Sequence, residues 1–159
     1  MPKHEFVVES NTNDKNPCYI NYSWDSDGKL HREGLTDEDH VSIDDEFIMY
    51  LHDSLKWLSC WNPSTKEACK GLNVHGVTII EKQNLITFRG IIQAWVDLFG
   101  FAPEKIELKG SYTLDSKDEC GEYEILLFIK EDLFTNLNKL IRIINKAHDE
   151  ERCILHLGI

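Results

Sequence analysis

No apolar run in this 159-residue chain approaches the roughly 20 residues a helix needs to span a bilayer; Ile125 to Ile129 is typical of the longest. Met1 to Ser10 carries charges where a signal peptide would carry a hydrophobic region, so the expected location is cytoplasmic. Basic residues are also scarce. Lysine and arginine total 17 against 28 aspartates and glutamates, a net charge of -11. That balance disfavours phosphate backbones and anionic lipid, which leaves nucleic acid and membrane out of the expected partners and makes a basic protein the natural complement. Glycine-rich phosphate loops (G-x-G-x-x-G, G-x-x-x-x-G-K-[ST]) are absent, as is a G-x-S-x-G nucleophile elbow, so no cofactor and no covalent catalysis are expected. The cysteines, Cys18, Cys60, Cys69, Cys120 and Cys153, are odd in number and scattered, which suits reduced thiols better than a disulfide framework.

What the chain does have is a concentration of acid near its start. Twelve acids and four bases fall within residues 1–46, a net of -8, and the remaining sixteen acids and thirteen bases leave -3. The acids that stand out are Asp25, Asp27, Glu33, Asp37, Glu38, Asp39, Asp44, Asp45 and Glu46. They fit an interface for a basic partner. They also fit a solvated face, and the last three suit a helix N-terminus, where the macrodipole favours negative charge. Trp57 and Trp61, four positions apart, would share a helix face beside this segment as aromatic anchors or pack beneath the loop that follows.

Hydrophobic periodicity gives the elements. His4 to Glu9 reads as a strand, and Cys18 to Trp24 forms a hairpin with Lys29 to Glu33 across the turn Asp25-Ser26-Asp27-Gly28. Ser42 is placed as the N-cap of a helix carrying Phe47, Ile48, Leu51, Leu55 and Leu58 and ending near Asn62-Pro63. Ser64 to Gly71 is polar and unassigned; Val77 to Ile80 is a strand closed by a turn at Lys82-Gln83-Asn84. Thr87 then caps a helix with Phe88, Ile91, Ile92, Trp95, Val96 and Phe99 on one face and Gly100 as its stop. Ile106 to Leu114 and Tyr123 to Ile129 pair as a hairpin, whose second strand, apolar at every position from Ile125, is expected to be covered on both faces. Asp132 caps the last helix, and Cys153 to Leu157 is the final strand. With no repeat and no linker, these elements predict a single domain over residues 1–159. Its fold class is α+β, a mixed, largely antiparallel sheet with about three helices packed mainly on one face.

No metal site is expected. His148, Cys153 and His156 are ligand types that zinc accepts, but Cys153 and His156, three apart on a strand, face opposite sides of a sheet. His4, His31, His40, His52 and His75 stand isolated in sequence, so none is favoured as a general base.

Trp95-Val96-Asp97-Leu98-Phe99 before Ala102-Pro103, Ile106-Glu107-Leu108-Lys109-Gly110, and the ending Ile154-Leu155-His156-Leu157-Gly158-Ile159 together resemble small immunity proteins of bacterial polymorphic-toxin systems, over residues 75–159. The resemblance implies a cytoplasmic, non-catalytic antitoxin that binds and blocks one cognate toxin domain, and it carries over no binding residue. Two alternatives remain open: a small enzyme or ligand-binding domain whose site no motif reveals, and an acidic mimic of nucleic acid.

Overall fold

The computed structural model describes residues 2–10, 21–114 and 120–159. Its first strand, β1 (Lys3–Glu9), alternates side chains between two covered faces. His4, Phe6 and Val8 point to one side and Glu5, Val7 and Glu9 to the other, all buried. Two layers therefore pack on this strand. On the second side, Val7, Leu155 and Leu157 meet Tyr22, Leu30 and Leu35 from the segment that holds β2 (Ser23–Trp24) and β3 (Leu30–His31). β2 and β3 pair as expected; Asp25 Oδ1 accepts the Asp27 and Lys29 amides, and Gly28 supplies the positive φ of 74°. Of the expected strand, Cys18 to Ile20 lies outside the described residues.

Next come β4 (His40–Asp44), α1 (Asp45–Tyr50), α2 (His52–Leu55), β5 (Ser59–Asn62), β6 (Glu67–Lys70) and β7 (Val77–Ile80). The long first helix expected from periodicity is thus two short helices separated at Leu51 and followed by a strand. Ser54 accounts for the break: its hydroxyl donates to the Leu51 carbonyl at 2.7 Å and accepts the Trp95 indole N–H at 3.0 Å, which fixes the turn against the core. Phe47, Ile48, Leu55 and Leu58 are buried all the same. Ser42 is not an N-cap; it lies within β4, where its hydroxyl donates to Glu5. The unassigned polar stretch contains β6, which pairs with β5 so that Cys60 faces Cys69.

The second half holds α3 (Lys82–Phe99), β8 (Lys105–Thr113), β9 (Glu122–Ile129), α4 (Lys130–Asp149) and β10 (Cys153–Leu157). Lys82-Gln83-Asn84 is the first turn of α3 and Thr87 lies inside it, while Gly100 ends it as expected. α4 starts at Lys130 with Asp132 in its first turn, not as its cap. Strand order is β4-β1-β10-β7-β5-β6, every neighbouring pair antiparallel, with α3 and α4 on the His4–Phe6–Val8 face. The fold is α+β with helices on one face, and four helices where about three were expected.

β8 and β9 stand apart as a two-stranded ribbon. Its inner side chains Ile106, Leu126 and Phe128 reach the core, and Phe47 receives them. The Phe47 ring meets Phe128 edge-on at 5.6 Å, Trp95 edge-on at 5.8 Å and Phe99 at 5.3 Å. One residue thereby joins α1, α3 and the ribbon. Phe47→Ala should lower the unfolding free energy by about 3–5 kcal/mol, measured by urea titration; a loss below about 1 kcal/mol would show that the ribbon is anchored elsewhere.

Candidate functional site

The buried polar side chains of β1 each draw a partner from a neighbouring element. Glu9 accepts the Tyr22 hydroxyl and the Arg32 guanidinium, and Glu5 accepts His40 and, at 2.6 Å, the Ser42 hydroxyl. On the helix side, His4 Nε2 donates to Asp45 Oδ1 at 2.9 Å, which leaves His4 Nδ1 to accept the N–H of His156 Nε2 at 2.7 Å. The two rings stack at 5.0 Å. Both imidazoles are fully buried, and burial pushes both below the usual histidine range; for His156, the neighbouring His4 and His52 add to the effect. His156 Nδ1 and His52 Nε2 have no hydrogen-bond partner among the described residues. Sealed from solvent, this relay holds a carboxylate and two neutral rings together but touches no groove surface except through Asp45.

The nine acids singled out by charge do not form one patch. Asp25 and Asp27 occupy the β2–β3 turn, and His31 holds the Asp25 carboxyl below its ordinary range. Glu33, Asp37, Glu38 and Asp39 lie in the following loop; Asp37 and Glu38 border a groove with Lys139, Arg142 and Lys146 of α4, and Asp39 pairs with Lys146 at 2.7 Å. Of these four acids, Asp39 alone is ion-paired among the described residues. Asp44, Asp45 and Glu46 sit at the β4–α1 junction, Asp44 near Lys3 at 3.9 Å and Asp45 on His4. Trp57 and Trp61 do not share a helix face: Trp57 follows α2 at 73% exposure, and Trp61 is half-buried in β5. Four strand spacings of about 4.8 Å separate β5 from β4, so Trp61 stands roughly 19 Å across the sheet from Asp44.

Side chains not singled out in the sequence take their place. β9 is not a strand covered on both faces. Tyr123, Ile125, Leu127 and Ile129 form an exposed stripe, Leu127 at 68%, and Tyr112 extends it. The signal was in the partner strand: Lys105, Glu107 and Lys109 of β8 stand opposite Ile129, Leu127 and Ile125, so the charged alternation of β8 already marked this face as outward. A groove of about 200 Å³ joins the stripe to the β4 edge, with Leu127 and Ile129 on one wall, Ile43 and Asp44 on the other, and Asp132 and Asn136 from α4. Two wider grooves flank it. One, about 590 Å³, holds Asp45, Glu46, Met49 and Tyr50; the other, about 740 Å³, holds Glu5, Ser42, Trp24 and Asp27, and Pro2 lines both.

No protein-family model matches the chain, and no curated protein or solved structure is significantly similar to it. The site must speak for itself.

Neither wide groove is lined by a histidine. Cys153 and His156 do face opposite sides of the sheet, and among the described residues no cluster of three or more histidines, cysteines and acids is placed to hold a metal ion. Cys60, Cys69, Cys120 and Cys153 are free thiols, and burial pushes Cys60 up to about 12; Cys18 lies outside the described residues. No helix of the described residues is long and apolar enough to cross a membrane.

The relay gives the fold a pH dependence. Its histidines take a proton less readily when folded than in the unfolded chain, where each titrates near pH 6.5, so their contribution is fully present above that value and is lost as pH falls below it. The unfolding free energy from urea titrations run between pH 8 and pH 5 should fall, by at most about 1.4 kcal/mol per pH unit for each imidazole. His156→Leu should flatten that profile. An unchanged slope in the variant would mean that His156 does not carry it.

Proposed function

We propose that this chain is a non-catalytic antitoxin that neutralises a basic toxin domain by binding it on the face formed by the β4 edge, the start of α1 and the β9 stripe. One observation carries the reading: an exposed apolar stripe and a set of carboxylates share one groove, with Leu127 and Ile129 facing Asp44 and Asp132. A contiguous exposed apolar patch rimmed by charge is the mark of a protein interface. On each side, exposed Trp24, Met49 and Tyr50 supply large side chains of the kind that anchor such contacts. Asp27 and Glu46 add charge that has no ion pair or side-chain hydrogen bond among the described residues, and so remains available to a cationic partner.

The likeness to immunity proteins over residues 75–159 agrees with this reading, since β9 lies within it. Carboxylates at the rim speed encounter with a basic active site, and apolar anchors slow release. Residues 47–159 are nearly balanced, with sixteen acids and thirteen bases, and Asp25 and Asp39 are paired with His31 and Lys146, which favours a protein partner over nucleic-acid mimicry.

The test is co-expression with candidate basic toxin domains that arrest growth. The wild-type chain should restore growth. Ile125→Lys with Leu127→Lys, both on the outer face, should abolish rescue through a loss of about 2 kcal/mol or more while leaving the circular dichroism spectrum unchanged. Rescue at wild-type level by that variant would overturn the assigned face, and no rescue by the wild type would overturn the neutralising role.

A further inference from the structure

β4 ends the six-stranded sheet, and the phase of its ladder shows what its outer edge offers. Val8 N–H donates to Asp39 O at 2.9 Å and Asp45 N–H to Pro2 O at 3.1 Å. Between them the register pairs His4 with Ile43 and Phe6 with Val41. Bonded and non-bonded pairs alternate in an antiparallel ladder, so Val41 and Ile43 direct their N–H and C=O groups to β1. His40, Ser42 and Asp44 direct theirs outward, where no strand lies among the described residues. Such an edge is a template for a further strand.

We propose that an extended basic segment of the partner adds to β4 as a seventh strand, antiparallel or parallel to it, and bonds to the outward groups of His40, Ser42 and Asp44. This deepens the neutralising role and rests on it. Side chains of an added strand alternate between the sheet's two faces, and a groove awaits each set. On the face of Glu5 and Ser42 lies the 740 Å³ groove with Trp24 and Asp27, suited to lysine or arginine stems that stack on the indole and reach carboxylates. On the helix face lies the 200 Å³ groove with Ile43, Leu127 and Ile129, suited to small apolar side chains. Charge selects the occupant. Asp27 in the wider groove and Glu46 just after the strand have no ion pair or side-chain hydrogen bond among the described residues, so a second copy of this acidic chain is disfavoured and a basic segment is favoured.

Asp44 makes the test specific, because its φ of -60° already suits proline. Asp44→Pro removes one outward N–H together with the charge; Asp44→Asn removes the charge alone. The probe is a blocked peptide of alternating lysine and valine, titrated onto the full chain and followed by amide hydrogen exchange. Saturating peptide should slow exchange at His40, Ser42 and Asp44 by tenfold or more and leave Val41 and Ile43 unchanged. Asp44→Pro should bind it roughly threefold to tenfold more weakly than Asp44→Asn, the worth of one hydrogen bond. Equal affinity of the two variants, or protection confined to other segments, would overturn strand addition. So would protection of the same amides without peptide accompanied by a doubled mass on a sizing column, which would place a second copy on the edge. Growth rescue by the wild type combined with an unprotected β4 would sink strand addition alone, whereas failed rescue sinks the neutralising role.

Discussion

Burial of three polar side chains on β1 is the constraint around which the rest of the chain is arranged. His4, Glu5 and Glu9 are all out of water, and an unpaired carboxylate or imidazole there would cost several kcal/mol, so each must be met by a neighbour. Glu5 draws in β4 through His40 and Ser42, and Glu9 fastens the β2–β3 segment through Tyr22 and Arg32. His4 ties the first turn of α1 to the last strand by way of Asp45 and His156. These bonds add little net energy beyond avoiding that cost, but they select one arrangement of elements that apolar packing alone would leave degenerate. They also decide what faces outward: β4, fixed to β1 on its inner side, has no strand on its outer edge among the described residues.

From that edge the proposed binding surface follows. The junction acids are held where β4 runs into α1, Phe47 on the inner side of α1 grips the ribbon, and the ribbon in turn brings its bare apolar stripe beside the acids. A surface part apolar and part acidic is poorly suited to water or to another copy of the same chain. A basic protein with an extended segment satisfies both parts at once. The buried histidine relay lies behind this face, and Asp45 belongs to both.

Much of the architecture was legible in the residues. α3 and α4 carry long 3.6-residue stripes, and the alternation of Ile106, Leu108, Tyr112 and Leu114 foretold the β8–β9 hairpin. Phe47, Leu51, Leu55 and Leu58 misled because helical spacing is also met by a chain that turns twice beneath a sheet, and the Ser54 hydrogen bonds that set the break come from a tertiary contact with Trp95. The continuous apolar run of β9 suggested a central strand; only its register against Lys105, Glu107 and Lys109 separates its inner from its outer positions. His4 and His156 lie 152 positions apart, and nothing short of sheet order brings them together. Charge density located the acids correctly in sequence but said nothing of the Asp39–Lys146 pair, nor of the sheet width between the junction acids and Trp61.

The central claim is that carboxylates at the β4 edge steer a basic partner onto an apolar anchor. Stopped-flow association of this chain with the proposed basic toxin domain, from about 50 to 500 mM salt, tests it most directly, since screening acts on encounter more than on the formed apolar contact. The account predicts an association rate that falls at least tenfold over that range with a dissociation rate changed far less. An association rate independent of salt would contradict it.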